Sequence, residues 1–102
     1  MRVIRWDCEQ DGTLTESGLR RKLQELGYSV TRYVYPPGTS FPEHTHDVEK
    51  IDAVVSGQFR ITMGEDSVIL GPGDAVLVPS GAFHSAEVVG NQPVVSLDAI
   101  KQ

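Results

Sequence analysis

Hydrophobic and polar positions change period once along this chain, near residue 28. Before that point the apolar residues Leu19, Leu23 and Leu26 recur at helical spacing, which predicts a helix over 14–27. Thr13-Leu14-Thr15-Glu16 fits a capping box with Thr13 as N-cap, and Gly27 supplies a left-handed stop. Arg20, Arg21, Lys22 and Glu25 cover the opposite side as a solvated face. Ahead of the helix, Val3, Ile4 and Trp6 form a short first strand, followed by a polar loop with a turn at Asp11-Gly12.

From Tyr28 onward the period is two. Residues 28–35 are rich in aromatic and β-branched side chains and read as a strand, ended by Pro36-Pro37-Gly38. Further apolar segments follow at 51–55, 59–63, 67–70, 75–78, 86–89 and 93–100. Gly, Pro, Asn, Asp and Ser punctuate them at close intervals. Short strands at such spacing predict an all-β sandwich or barrel with one short N-terminal helix. The expected organisation is a single domain over 1–102, with the strand and helix in 1–27 and the barrel in 28–102.

Composition narrows the function classes. The chain has 102 residues, 39% hydrophobic and 23% charged, which is too apolar for disorder. Its net charge of -5 disfavours nucleic acid and anionic membrane as partners, since both need a basic face. The single cysteine, Cys8, allows no intrachain disulfide and reads as an idle thiol. The N-terminal apolar run breaks too early for a signal peptide, and no stretch approaches the ~20 apolar residues of a membrane span. A cytoplasmic protein is the expectation. A small all-β domain leaves one sheet face partly bare, which points to a homodimer.

The chemistry lies in three histidines, all beside turns. His44 and His46 are one residue apart just before an apolar run, and His84 follows a second Gly/Pro-punctuated stretch. In an extended strand, residues i and i+2 face the same way, so two imidazoles can aim at one point. With His84 they make a candidate metal site. Among other polar residues, Arg60 falls out of phase with Phe59, Ile61 and Met63 and is expected to point outward. Tyr33 and Tyr35 share a face, where packing or a dimer interface accounts for them.

These two stretches resemble the two motifs of the cupin superfamily, in its small single-domain form. Gly38, His44, His46 and Gly57 fall in register with G-x5-H-x-H-x3-E-x6-G. Gly73, Pro79, Gly81 and His84 match G-x5-P-x-G-x2-H-x3-N. The resemblance implies an antiparallel double-stranded β-helix, or jelly-roll barrel, with the motif histidines turned into the lumen. It also implies a divalent transition metal there: iron, zinc, nickel, manganese or copper. Gly57, Gly73 and Gly81 are expected at turns with positive φ, and Pro79 fixes the backbone ahead of His84.

Two positions depart from the motifs. Val88 replaces the final Asn, and Lys50 replaces the Glu that serves the family as fourth protein ligand. A protonated lysine cannot coordinate and repels a cation. Three arrangements stay open. A local shift brings Glu49 in as ligand, supported by the phase of Ile51, Ala53 and Val55. Otherwise Lys50 and Asp52 face the lumen beside a three-histidine site, with Lys50 pairing with Asp52 or anchoring an anionic substrate. In the third arrangement the site is degenerate and empty of metal. The corresponding functions are a small metalloenzyme, of the oxygenase (including dioxygenase) or isomerase class, acting on a small anionic or chelating molecule; a non-catalytic ligand-binding or sensing module; or a structural domain.

Overall fold

Each period-two segment becomes a strand because alternate residues point to opposite faces of a sheet, one set into the space between the two sheets and the other outward, where α2 covers part of the five-stranded sheet. The computed structural model describes all 102 residues. Its elements in chain order are β1 (Arg2–Ile4), α1 (Cys8–Asp11), α2 (Glu16–Glu25), β2 (Tyr28–Tyr35), β3 (Ser40–His44), β4 (Lys50–Ser56), β5 (Phe59–Met63), β6 (Asp66–Leu70), β7 (Ala75–Val78), β8 (His84–Val88) and β9 (Val94–Lys101). The strands form two sheets, ordered β1-β7-β4-β9-β2 and β3-β8-β5-β6, with every pairing antiparallel. The all-β expectation holds, with a small helical part.

Two apolar layers result. On the outer face of the five-stranded sheet, Leu19 and Leu23 of α2 pack on Ile51, Ala53, Leu97 and Ala99. Between the sheets, Val54, Val76 and Val94 meet Phe59, Ile61, Leu70 and Val88. Successive residues of β4 therefore serve different layers: Ile51 and Ala53 lie under the helix, and Val54 lies in the lumen.

The helical region differs from its expectation in two ways. The N-cap of α2 is Thr15, not Thr13, and its hydroxyl accepts from the Gly18 N–H at 3.0 Å. Asp7, whose carboxylate accepts from Glu9 N–H, caps the extra turn α1 where a loop was expected. Gly27 does end α2, at φ +96°, while Leu26 lies beyond the helix and is exposed. The strand β3 was not foreseen. It contains Pro42, and it sits at a sheet edge, where a residue without an N–H is tolerated. No helix is long and apolar enough to cross a membrane.

Gly57 closes the β4–β5 turn at φ +85°. A Cβ there would fall 2.4 Å from the Pro93 carbonyl oxygen and 3.0 Å from Val94 Cα. Both are backbone atoms of the adjoining chain and cannot swing aside. Gly57→Ala is thus expected to cost about 3 kcal/mol, combining left-handed strain with the clash. Gly90 has the same φ, but open space surrounds the Cβ position. Its alanine variant should lose only about 1 kcal/mol. Urea midpoints for the two variants check this, and equal losses would refute the role given to the Pro93 contact.

Candidate metal centre

The three histidines converge where the four-stranded sheet opens toward the lumen. His44 ends β3 and His84 begins β8, and the two stand opposite each other in the antiparallel register. His46 lies two residues past the end of β3. The pairing shifts between Phe41 and His44, so the histidine pair does not ride on one regular strand. The backbone compensates: Gly81 N–H donates to the His46 carbonyl at 2.8 Å, tying the β7–β8 turn to the first histidine stretch. Gly81 adopts φ +81°, as its turn requires.

Ring centroids are 4.9 Å apart for His44–His46, 4.2 Å for His44–His84 and 5.2 Å for His46–His84. One nitrogen from each ring lies within 4.8 Å of the others. The tautomers are set locally. His44 Nδ1 lies 2.7 Å from the Pro42 carbonyl and His84 Nδ1 lies 3.0 Å from the Ala82 carbonyl. A carbonyl oxygen only accepts, so both Nδ1 atoms carry the proton and each Nε2 keeps its lone pair. His46 Nε2 is buried with no hydrogen-bond partner. Burial, reinforced by Lys50 and the other two histidines, lowers the pKa of His46 and favours neutral imidazole. Three converging imidazoles, each with a ring nitrogen not committed to a carbonyl, fit a borderline divalent ion such as zinc, iron, nickel or copper.

The histidines line a cavity of about 210 Å³. Its apolar wall is aromatic: Tyr35 meets Phe41 edge-on at 5.0 Å and stacks with Phe59 at 5.6 Å. It also has a polar cluster. Asp52 of β4 and Asp98 of β9 are direct cross-strand partners. Lys50 reaches both, with Nζ 3.3 Å from Asp52 Oδ1 and 3.9 Å from Asp98 Oδ2. Asp98 also accepts from Ser96 Oγ at 2.8 Å and from the Tyr35 hydroxyl at 3.3 Å. Burial raises the Asp52 pKa; Lys50 opposes this and Asp98 adds to it. Burial, helped by Asp98, likewise raises that of Tyr35.

Of the candidate residues, His44, His46, His84, Lys50 and Asp52 all line this cavity, and Glu49 does not. The fourth-ligand role considered for Glu49 is corrected by its place just ahead of β4, one residue out of phase with Lys50 and Asp52 and outside the cavity lining. Its carboxylate accepts from the Tyr28 hydroxyl at 2.6 Å and pairs with Lys101 at 3.4 Å. The apolar phase that suggested Glu49 belongs to the helix-covered layer, not to the lumen. Lys50 instead pairs with Asp52, one of the roles weighed for it. Tyr35 and Asp98 were not singled out as site residues. The signal for Asp98 was available, since a carboxylate at an inward position of a strand as apolar as β9 needs a partner. Arg60 pairs with Glu87 on an exposed face, as its phase implied.

The Tyr28–Glu49 pair has its own pH signature. Burial and the adjacent Glu49 push the Tyr28 phenol up to about 12. An unfolded tyrosine ionises near pH 10. Between these values the unfolded chain releases a proton that the folded chain retains, so stability falls as pH rises from about 10 to 12. In Tyr28→Phe this loss should be reduced, as read from urea midpoints across that range. An unchanged slope would dissociate Tyr28 from it.

Comparison with known proteins agrees with this geometry. The family profile described as "Cupin domain" matches residues 31–100. An uncharacterised protein of Streptomyces coelicolor is 29% identical over 85 residues, covering 82% of this chain and 81% of that protein. A gentisate 1,2-dioxygenase from a Ralstonia species is 32% identical over 65 residues, which is 63% of this chain but only 18% of the dioxygenase. Among solved structures, the DMSP lyase DddQ of Ruegeria pomeroyi superposes with a TM-score of 0.67 at 28% identity, over 74% of this chain and 39% of the lyase.

Proposed function

This chain belongs to the cupin domain family, and from that premise we propose that it is a metal-dependent enzyme of the oxygenase or isomerase class acting on a small anionic or chelating molecule. The observation that carries the reading is the set of three imidazoles with two Nδ1 protons committed to carbonyls and a buried, unpartnered Nε2 on His46. His44, His46 and His84 would hold the ion. Bound there, it supplies Lewis acidity and, where it is a redox metal, electron transfer. The chain's own contribution is a partly aromatic cavity of about 210 Å³. Tyr35, Phe41 and Phe59 keep one wall apolar, while Lys50, Asp52 and Asp98 supply its charged groups. Relatives with enzymatic names support catalysis in general, and the dioxygenase assignment rests on the shorter match.

One observation favours a second reading, that of a non-catalytic ligand-binding or sensing module. Lys50 is paired with both aspartates and Tyr35 with Asp98, so these groups are engaged with one another rather than left free for acid–base work. Elemental analysis of protein purified without chelators tests the premise common to both. Stoichiometric transition metal is expected, and metal-free protein that also refuses added zinc, iron and nickel would end it. Turnover of small acids under oxygen then separates the enzyme from the module.

A further inference from the structure

Apart from the histidine cavity, the chain has a concavity of about 450 Å³ on the helix-covered face of the five-stranded sheet. The two share no lining residue. Strand register builds this groove: Arg2, Leu77 and Ile51 stand on one rung across β1, β7 and β4. Ile4 and Leu26 extend its apolar lining. Leu26 lies past the end of α2 and is 52% exposed, and Ile4 and Leu77 are only partly buried. The helix therefore leaves this part of the sheet incompletely covered. A volume of this size is that of a small-molecule site.

The charged groups beside this lining are mostly basic. Glu49 Oε2 accepts from the Tyr28 hydroxyl at 2.6 Å and lies 3.4 Å from Lys101 Nζ. The Tyr28 hydrogen bond, and after it the charges of Lys101 and Arg2, hold the Glu49 carboxyl below its ordinary pKa against the opposing effect of burial. Two cations thus act on one carboxylate. Lys101 is its ion-pair partner, while Arg2 is exposed and takes part in no ion pair. Lys22, which also lines the groove, is neutralised by Asp11 at 2.7 Å. One positive charge is left in excess here, in a chain whose net charge is -5. Apolar side chains beside an uncompensated guanidinium match a molecule with an apolar tail and a single anionic head.

We propose that this groove binds a small amphipathic anion of the medium-chain carboxylic acid class, its head held by Arg2 and Lys101 and its tail laid over Leu77, Leu26 and Ile4. The site is independent of the metal-centred reading, since no histidine lines it.

Octanoate, butanoate and octylammonium test this, each titrated into the isotopically labelled chain in zinc-free and zinc-loaded form and followed by amide chemical shifts. Octanoate should shift the amides of Arg2, Leu26, Leu77 and Lys101 saturably, with the same affinity in both forms. A fully buried methylene is worth about fourfold in affinity, so with its extra methylenes half buried octanoate should bind at least about tenfold tighter than butanoate. Octylammonium should leave these amides unmoved. Arg2→Gln combined with Lys101→Gln, both exposed positions, should weaken octanoate about tenfold. Leu26→Glu should weaken it too, with the rest of the spectrum unchanged as a check on the fold. Shifts centred on His44, His46 and His84 in place of the groove amides would put the acid in the metal cavity and overturn the proposal. So would octylammonium binding as tightly as octanoate, undiminished octanoate binding in the double variant, or no shift at millimolar octanoate. Groove shifts that follow protein concentration with no acid added would make a second copy of the chain the occupant instead.

Discussion

His46→Ala is expected to weaken divalent-metal binding by at least a factor of about a hundred while leaving the metal-free protein as stable as before. The first half follows from ligand count. Structural zinc in a four-ligand peptide site is held by about 10–16 kcal/mol, roughly 2.5–4 kcal/mol per ligand, and one ligand in three is removed here. The second half follows from what His46 does not do. It lies outside the strands, and its Nε2 has no hydrogen-bond partner. The bond that ties the β7–β8 turn to this stretch uses the His46 carbonyl, which alanine keeps. The apo Tm should therefore stay within about 3 °C of the parent. Zinc at a hundredfold excess over its Kd stabilises the parent by about 2.7 kcal/mol, on the order of 10 °C for a domain of this size. The variant at the same zinc concentration should show almost none of that shift. His84→Ala provides the contrast. His84 is 2% exposed and donates to the Ala82 carbonyl, so its loss should lower the apo Tm as well as the zinc response. An undiminished zinc shift in His46→Ala would remove this residue from the ligand set.

The barrel strands were legible because each is short, period-two and bounded by turn residues. The segments read at 59–63 and 75–78 coincide with β5 and β7, and 28–35 with β2. The reading was weaker where local chemistry contradicts the element. β3 carries Pro42, which argues against a strand until its edge position is known. α1 is a single turn held by the Asp7 cap, too short to show a helical period. At the site, motif spacing placed Lys50 and Asp52 in the lumen, while alternation pulled toward Glu49. Alternation alone cannot decide this, because both faces of β4 are buried: Ile51 and Ala53 under α2, Val54 between the sheets. Only the presence of the helix on the outer face tells which apolar phase is the lumen. Tyr35 and Asp98 are 63 residues apart and meet through the β2–β9 and β4–β9 pairings. That juxtaposition is a property of strand order, which no local pattern carries.

Strand order also explains why Lys50 has a structural duty separate from any ligand. Asp52 and Asp98 oppose each other across β4 and β9, and like charges in that register repel. Lys50, with its side chain 12% exposed, is the cation that lets both remain in the lumen. Lys50→Met keeps the length and apolar stem but removes the charge. It should destabilise the fold by about 3 kcal/mol at neutral pH, the cost of leaving a buried carboxylate unpaired. The sign of the pH dependence follows. Burial already raises the Asp52 pKa in the parent, and without Lys50 it rises further. An acid whose folded pKa exceeds its unfolded value costs stability above the folded pKa and costs nothing below the unfolded one. The deficit of Lys50→Met should thus be greatest at neutral pH and shrink on acidification toward pH 3.8, the ordinary value for Asp52. Asp52→Asn in the same background should recover part of the loss at neutral pH, since the amide needs no counter-ion. A double-mutant cycle on urea midpoints gives the coupling. A pH-independent deficit, or no recovery in the double variant, would mean that Lys50 contributes through packing of its stem and that the two aspartates share the lumen by other means.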